Sequence, residues 1–209
     1  MKILIADDHA IVRKGLKQLL LEEYPFAEIE EVGDGETLIA KVINENWDVV
    51  ICDLDMPGRN GLDAMRQIKE IAPKLPVLIV SIYPEEQYAV RVLKAGAAGY
   101  VSKDAATEEL VKAVQRVLQG RKYISSSIAE LIADDMGYHS SDKAPHELLS
   151  DREFGVFKLI ASGKSVSEIA ERLSLSSATV STHRARILTK MNMKTNAELT
   201  RYALDNKLI

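Results

Sequence analysis

Five short runs rich in β-branched residues alternate with five amphipathic stretches over the first 120 residues, and this alternation leaves few folds open. The apolar runs are 2–7, 28–32, 48–53, 76–81 and 98–102. The amphipathic stretches lie near 9–23, 35–45, 61–72, 84–95 and 107–119. The first places Val12, Leu16, Leu19 and Leu20 on one helical face. Strands alternating with helices predict βαβ units and a mostly parallel sheet, doubly wound by helices. The reading is an α/β domain over residues 1–120.

Ligands of such sheets bind at the carboxyl ends of the strands. There the first strand carries Asp7 and Asp8, the third Asp53 with Asp55 just beyond, and the fourth Ser81, while Lys103 follows the fifth. Acids, one hydroxyl and one amine therefore converge on one rim. Crowded carboxylates repel each other, and a hard divalent cation relieves that repulsion. Mg²⁺ suits oxygen donors and usually combines one or two carboxylates with waters and a phosphate. Asp8 and Asp53 are the candidate direct ligands, with Asp7 acting through water and Asp55 through its backbone carbonyl. One carboxylate can then attack a phosphoryl group in line to give an aspartyl phosphate. Asp53, ending the central apolar run, is the candidate nucleophile. Lys103 and the cation would neutralise the transferring oxygens, and the Ser81 hydroxyl would hydrogen-bond one of them. Any one of these acids, taken alone, reads better as a helix cap or a strand end. Their convergence with Ser81 and Lys103 is what points to chemistry.

Past residue 120 the pattern changes. Ser125, Ser126 and Ser127 precede a short helix predicted over 128–136, and 137–145 is polar and turn-rich. Residues 121–145 thus read as a linker with a short helix. Helices are predicted near 151–161, 166–173, 177–191 and 196–206. Ser150-x-x-Glu153, Ser165-x-x-Glu168 and Thr195-x-x-Glu198 each match a capping box. The two middle helices are joined by Ser174-Leu175-Ser176, so 146–209 reads as an all-helical domain containing a helix-turn-helix.

The net charge of −4 is unevenly spread: residues 1–143 carry −7 and residues 144–209 carry +3. No acid lies between Leu173 and Ala197, where Arg184, Arg186, Lys190 and Lys194 all fall. On charge alone this reads equally as the site of an anionic partner or as a solvated helix face. On the helix 177–191, Val180, Ile187 and Met191 share an apolar face. Ala178, Ser181, Thr182, Ala185 and Thr189 form the opposite one. Small exposed residues with basic flanks suit a DNA groove, with N-terminal residues on base edges. A helical bundle that binds protein would look similar. His183 reads as a packing residue or a phosphate contact.

The run Asp53-Leu-Asp-Met-Pro-Gly-Arg-Asn-Gly61, with Asp7 and Asp8 upstream and Lys103 downstream, resembles the receiver domain of two-component response regulators. The resemblance implies a flavodoxin-like fold that accepts phosphate from a histidine kinase. It makes Asp53 the phospho-acceptor, Ser81 the switch hydroxyl, Lys103 the family's lysine, and Tyr100 the switch aromatic that turns inward with Ser81. The segment from Leu149-Ser-Asp-Arg-Glu153 through Thr179-Val-Ser-Thr-His183 to Ile187-Leu-Thr-Lys190 resembles the LuxR/NarL (FixJ) type of DNA-binding domain. This second resemblance sets Ser181, Thr182 and Ala185 against bases. Thr179, His183, Arg184, Arg186 and Lys190 become candidate contacts to the DNA backbone. Two residues depart from the pattern. Gly155 stands where Glu is usual, weakening its helix by about 1 kcal/mol, and Ser181 stands where Lys is common.

Together the resemblances imply a transcriptional regulator of double-stranded DNA, switched by Mg²⁺-dependent phosphorylation, and not an enzyme beyond its own phosphorylation. Phosphorylation would free or dimerise the helix-turn-helix domain as a homodimer. The face formed by Leu199, Tyr202 and Ala203 either pairs two such domains or completes the core. The single cysteine, Cys52, excludes a disulfide framework and fits a reducing cytoplasm. No signal peptide is visible, and no apolar run approaches the ~20 residues that span a membrane. The expected location is cytoplasmic, with no membrane partner. A Mg²⁺-dependent phosphatase or phosphotransferase, and a protein-interaction module, are the rival readings.

Overall fold

A computed structural model describes residues 1–137, 144–173 and 175–209. They fall into two compact units that divide after Gly137. The first unit contains β1 (Lys2–Ala6), α1 (Ala10–Glu23), β2 (Glu28–Val32), α2 (Gly35–Asn44), β3 (Val49–Cys52) and α3 (Gly61–Ile71). It continues through β4 (Val77–Ser81), α4 (Glu85–Lys94), β5 (Gly99–Ser102), α5 (Ala106–Leu118) and α6 (Ser126–Gly137). All strand pairs are parallel, in the order β2-β1-β3-β4-β5. The predicted doubly wound α/β fold is therefore present.

Strand order reverses between β1 and β3, which opens a crevice at their carboxyl ends. Those ends are where Asp7 and Asp53 emerge. β3 and β4 are buried along their whole length, as expected of central strands covered on both faces. Leu16 and Leu20 of α1 join Leu110, Val114 and Val117 of α5 in one core cluster against Ile3, Ile5 and Val101. Val12 and Leu19 pack beside them, so the whole predicted face of the first helix is used.

The linker reading of 121–137 needs correction. The Tyr123 amide donates to the Ala98 carbonyl at 2.8 Å, and Tyr123 bridges Gly99 at the edge of β5. A Cβ at position 99 would lie 2.8 Å from Tyr123, so only glycine admits this close approach. Beyond it α6 packs on α4 with Ile128 fully buried. The apolar residues of this segment bury themselves on the sheet unit. The helix begins at Ser126, two residues earlier than predicted, with Ser125 Oγ accepting from the Ile128 amide. Residues 138–143 of the predicted linker lie outside the described residues.

The second unit holds α7 (Asp151–Ala161), α8 (Val166–Arg172), α9 (Ser177–Lys190) and α10 (Asn196–Asp205), preceded by a 3₁₀ turn at Pro145–Leu148. Ser150 with Glu153 and Ser165 with Glu168 form complete capping boxes. The third box is half formed. Thr195 Oγ1 takes the Glu198 amide, but the Glu198 carboxylate turns to the Lys194 amide at 2.7 Å. Ser174 of the predicted turn lies outside the described residues; Leu175 closes back onto the Ala170 carbonyl at 2.8 Å.

Phe154, Phe157, Val180, Ile187, Met191, Leu199 and Ala203 build the core of this unit. Leu199 and Ala203 are fully buried, and the Tyr202 hydroxyl lies 2.8 Å from His146 Nδ1. Leu199 and Ala203 of α10 therefore help to complete the core of this unit. Among the described residues no helix is long and apolar enough to cross a membrane.

Gly155 sits inside α7 with no neighbouring heavy atom within 4 Å of an added Cβ. Gly155→Ala should therefore stabilise the second unit by about 1 kcal/mol. A thermal melt of the variant should show a higher midpoint; an unchanged or lower one would mean that the glycine has another task.

Candidate functional site

The strand register builds the rim. Ala6 pairs with Cys52, and the Asp53 amide donates to the Ala6 carbonyl at 2.8 Å, so Asp7 and Asp53 leave the sheet side by side. Ser81 pairs with Ser102 one strand further on, which puts Lys103 just past the end of β5. From there its long side chain reaches back to both acids. Lys103 Nζ lies 2.6 Å from Asp7 Oδ2 and 2.8 Å from Asp53 Oδ2. Asp7 and Asp53 are 1% and 3% exposed, so this ammonium offsets two buried negative charges. The other oxygens take backbone donors: Asp7 Oδ1 the His9 amide at 2.8 Å, and Asp53 Oδ1 the Leu54 amide at 2.7 Å.

Behind Asp53 the loop turns tightly, with the Gly61 amide on the Leu54 carbonyl at 3.0 Å. A Cβ at Gly61 would collide with the Asp53 carbonyl. Ser81 is fully buried. Tyr100 is also fully buried, in the inward seat, and its hydroxyl donates to the Tyr83 carbonyl at 2.6 Å. Tyr83 stacks on Tyr88 with ring centroids 4.7 Å apart, and its own hydroxyl donates to Asp55 Oδ2 at 3.3 Å. The Asp55 carboxylate thus faces the β4–α4 loop instead of the other acids.

The donor set fits a hard divalent cation. Asp7, Asp8 and Asp53 each offer a carboxylate oxygen, and His9 a ring nitrogen, all within 4.8 Å of one another. The Lys103 ammonium already shows that the site accepts positive charge. His9 was not singled out from sequence, and neither were Tyr83 nor Arg13, whose Nη1 donates to the Asp7 carbonyl at 2.6 Å.

Burial pushes the Asp53 carboxyl up to about 6, with Asp7 adding to the rise and Lys103 opposing it. Burial works against the Lys103 charge too, but its bonds to Asp53 and Asp7 raise its pKa on balance. An Asp with a folded pKa raised from 3.8 to about 6 stabilises the fold only while protonated. That contribution is complete below the unfolded value and is lost as pH rises through about 6. In metal-free buffer Asp53→Asn should therefore raise the melting midpoint relative to wild type above pH 6, and the gain should shrink towards pH 4. Melts across that range check this; a gain that grows as pH falls would contradict the raised pKa.

In the second unit, Ser181, Thr182, Ala185 and Arg186 are exposed on α9, opposite the buried Val180 and Ile187. Thr179 Oγ1 lies 2.8 Å from Ser176 Oγ at the helix start, and Thr182 Oγ1 donates to the Ala178 carbonyl at 3.0 Å. Arg184 Nε donates to Asn196 Oδ1 at 2.7 Å. Lys190 Nζ lies 2.6 Å from Glu153 Oε2. Lys190 thus has an internal partner 37 residues away, which sequence spacing does not reveal. His183 is half-buried, and its Nδ1 has no hydrogen-bond partner among the described residues. Burial, then Arg152 and Arg186, hold its pKa down. A neutral imidazole at neutral pH suits packing better than phosphate binding.

Residues 3–115 match the response regulator receiver domain, and residues 147–203 match the bacterial regulatory proteins of the luxR family. The oxygen regulatory protein NreC of Staphylococcus epidermidis is 38% identical over 216 residues, covering 100% of this chain and 99% of its own. NreC of Staphylococcus carnosus is 38% identical over 215 residues with the same coverage. RcsB from Salmonella enterica serovar Typhimurium, solved bound to promoter rprA in the presence of phosphomimetic BeF3−, superposes with a TM-score of 0.65 at 28% identity, covering 97% of this chain and 98% of that one. A LuxR family two-component response regulator from Aurantimonas sp. SI85-9A1 gives a TM-score of 0.59 at 33% identity over 65% of this chain and 97% of its own. Taken with the acidic rim and the helix-turn-helix, these matches place the chain in the two-component response regulators that join a receiver domain to a LuxR-type DNA-binding domain and regulate transcription.

Proposed function

We propose that this regulator is switched by phosphorylation of Asp53 from a histidine kinase, and that the switch sets how its second unit binds double-stranded DNA. The observation that carries the reading is the pairing of buried Asp53 and Asp7 around Lys103 at the strand reversal. An Asp53 oxygen attacks phosphorus as the bond from phosphorus to the kinase histidine nitrogen breaks. Lys103 stays beside the oxygens that gather charge, and Ser81 offers its hydroxyl from the adjoining strand. Asp7, Asp8 and Asp53 would hold Mg²⁺, with the Asp55 carbonyl as a further donor. When bound, that ion neutralises charge on the transferred group.

Output runs through the β4–α4 loop. Tyr83 takes the Tyr100 hydroxyl on its carbonyl, and two residues on, Glu85 begins α4. Glu85 Oε2 accepts from Ser125 Oγ at 2.8 Å and also from Ser127 Oγ. A shift of the loop at Ser81 and Tyr100 is thereby felt at the start of α6, the last helix before the second unit. On α9, Ser181, Thr182 and Ala185 face bases. Thr179, Arg184 and Arg186 suit the DNA backbone, while His183 and Lys190 serve chiefly to hold the fold. Two phosphorylated protomers on adjacent half-sites complete the reading.

Retention of genomic DNA fragments by the purified protein tests this at two salt concentrations, with and without a small phosphoryl donor and Mg²⁺. Sequence-selective retention should weaken steeply with salt. It should rise with the donor in wild type and not in Asp53→Ala. Retention that ignores the donor would leave DNA binding standing and remove the switch. Glu85→Ala tests the route. It should bring the donor-dependent gain in DNA affinity, within the about 5–150-fold range usual for coupled sites, down towards none. An undiminished gain would show that the signal bypasses Glu85.

A further inference from the structure

His9 precedes α1 at a position that usually favours Ser, Thr, Asp or Asn, whose short side chains cap the first turn. Its own side chain makes no such bond. The helix start is secured instead by the His9 carbonyl, which takes the Val12 amide at 3.0 Å and the Arg13 amide at 3.1 Å. The imidazole is left for another purpose and turns to the acids. Nδ1 lies 2.6 Å from Asp8 Oδ1 and 3.4 Å from Asp7 Oδ1.

These separations, from 2.6 Å up to as much as 4.8 Å, come near those of one coordination shell. Neighbouring donors around an octahedral ion with bonds of about 2.1 Å stand about 3 Å apart, and opposite ones about 4.2 Å apart. The ring nitrogen and the three carboxylates all lie within 4.8 Å of one another. At 2.6 Å the ring nitrogen and the Asp8 carboxylate already point at each other, so one ion at the mouth of the site would reach both. The site is also open on the correct side. Asp7 and Asp53 form a buried floor, while the His9 side chain is 64% exposed beside Asp8 at the mouth.

We propose that His9 Nδ1 is a ligand of the divalent-cation site, which makes the site prefer first-row transition ions, Mn²⁺ among them, over Mg²⁺. The proposal rests on the reading of Asp7, Asp8 and Asp53 as a cation site and adds a nitrogen to it. Mg²⁺ dehydrates reluctantly and takes oxygen, so an imidazole adds little to its binding. First-row ions accept imidazole readily, so the same nitrogen tips the balance between metals.

The test compares Mn²⁺ and Mg²⁺ binding by calorimetry in the full chain, its His9→Ser variant and its Asp53→Asn variant. Pulsed electron paramagnetic resonance of the Mn²⁺ complexes provides a second readout. Serine keeps a good helix cap, so loss of the imidazole does not fray α1. Wild type should show nitrogen hyperfine modulation on Mn²⁺ that disappears in His9→Ser. The Mn²⁺-over-Mg²⁺ preference should fall about tenfold or more in that variant, while its Mg²⁺ affinity stays close to wild type. Mn²⁺ bound without nitrogen modulation, or an unchanged preference, would overturn the role of His9 and leave the carboxylate site intact. Failure of wild type to bind either ion more tightly than Asp53→Asn would overturn the cation site itself.

Discussion

Lys103 carries two buried carboxylates on one ammonium, and the geometry of the first unit follows from that demand. Asp7 and Asp53 are nearly inaccessible and lie at the ends of adjacent strands, so without a counter-charge they would repel and one would protonate. The lysine that relieves them comes from the far side of β4, beyond the end of β5. It reaches both only because the parallel register brings the carboxyl ends of β1, β3, β4 and β5 to one rim. Each acid also uses its second oxygen to take a backbone amide, from His9 or Leu54. Carboxylates held at both oxygens keep a fixed aim, which in-line attack requires.

Glu153 plays the corresponding part in the second unit. Its Oε2 accepts the Ser150 amide at 2.8 Å and also holds the Lys190 ammonium at 2.6 Å. One buried oxygen therefore starts α7 and ties it to the last turn of α9. This ion pair sets the helix that would face DNA against the helix behind it. Asn196 does similar work for Arg184 from the start of α10. The basic stretch that stood out in the sequence is thus partly a set of internal fastenings. Its surface charge is preorganised by partners that sequence distance conceals.

What the sequence made legible were the periodic and convergent features. All five strands and the ten helices predicted from period or capping are present, with no end shifted by more than two residues. The acids met Lys103 because a parallel sheet puts every strand end on one side. The misses have physical causes. Residues 121–137 read as a linker with a short helix because, among the residues whose burial is described, only Tyr123 and Ile128 are buried, too sparse a signal to outweigh the serines. The third capping box failed halfway because Lys194 offered Glu198 a nearer amide. His9 was not singled out, since nothing in sequence tells a capping side chain from one that turns to the neighbouring carboxylates. The pairing of Lys190 with Glu153 exists only after α7 and α9 pack.

Two of the buried acids, Glu153 and Asp53, show how one chain uses the same chemical group for opposite ends. Burial favours the neutral form in both. At Glu153 the bonds from Lys190 and Ser150 outweigh burial and draw the pKa below its ordinary value. The charged state is then the restful one, and the residue belongs to the framework. At Asp53 burial prevails over Lys103, with Asp7 adding its repulsion, and the pKa rises to about 6. Its charge is held at a cost to folding, in a crevice at the strand reversal. A carboxylate kept in that condition gains by acquiring a cation or an electrophile, whereas one already satisfied by its neighbours has nothing to gain from either. The direction of these two shifts sets the proposed phospho-acceptor apart from the residue that holds the fold.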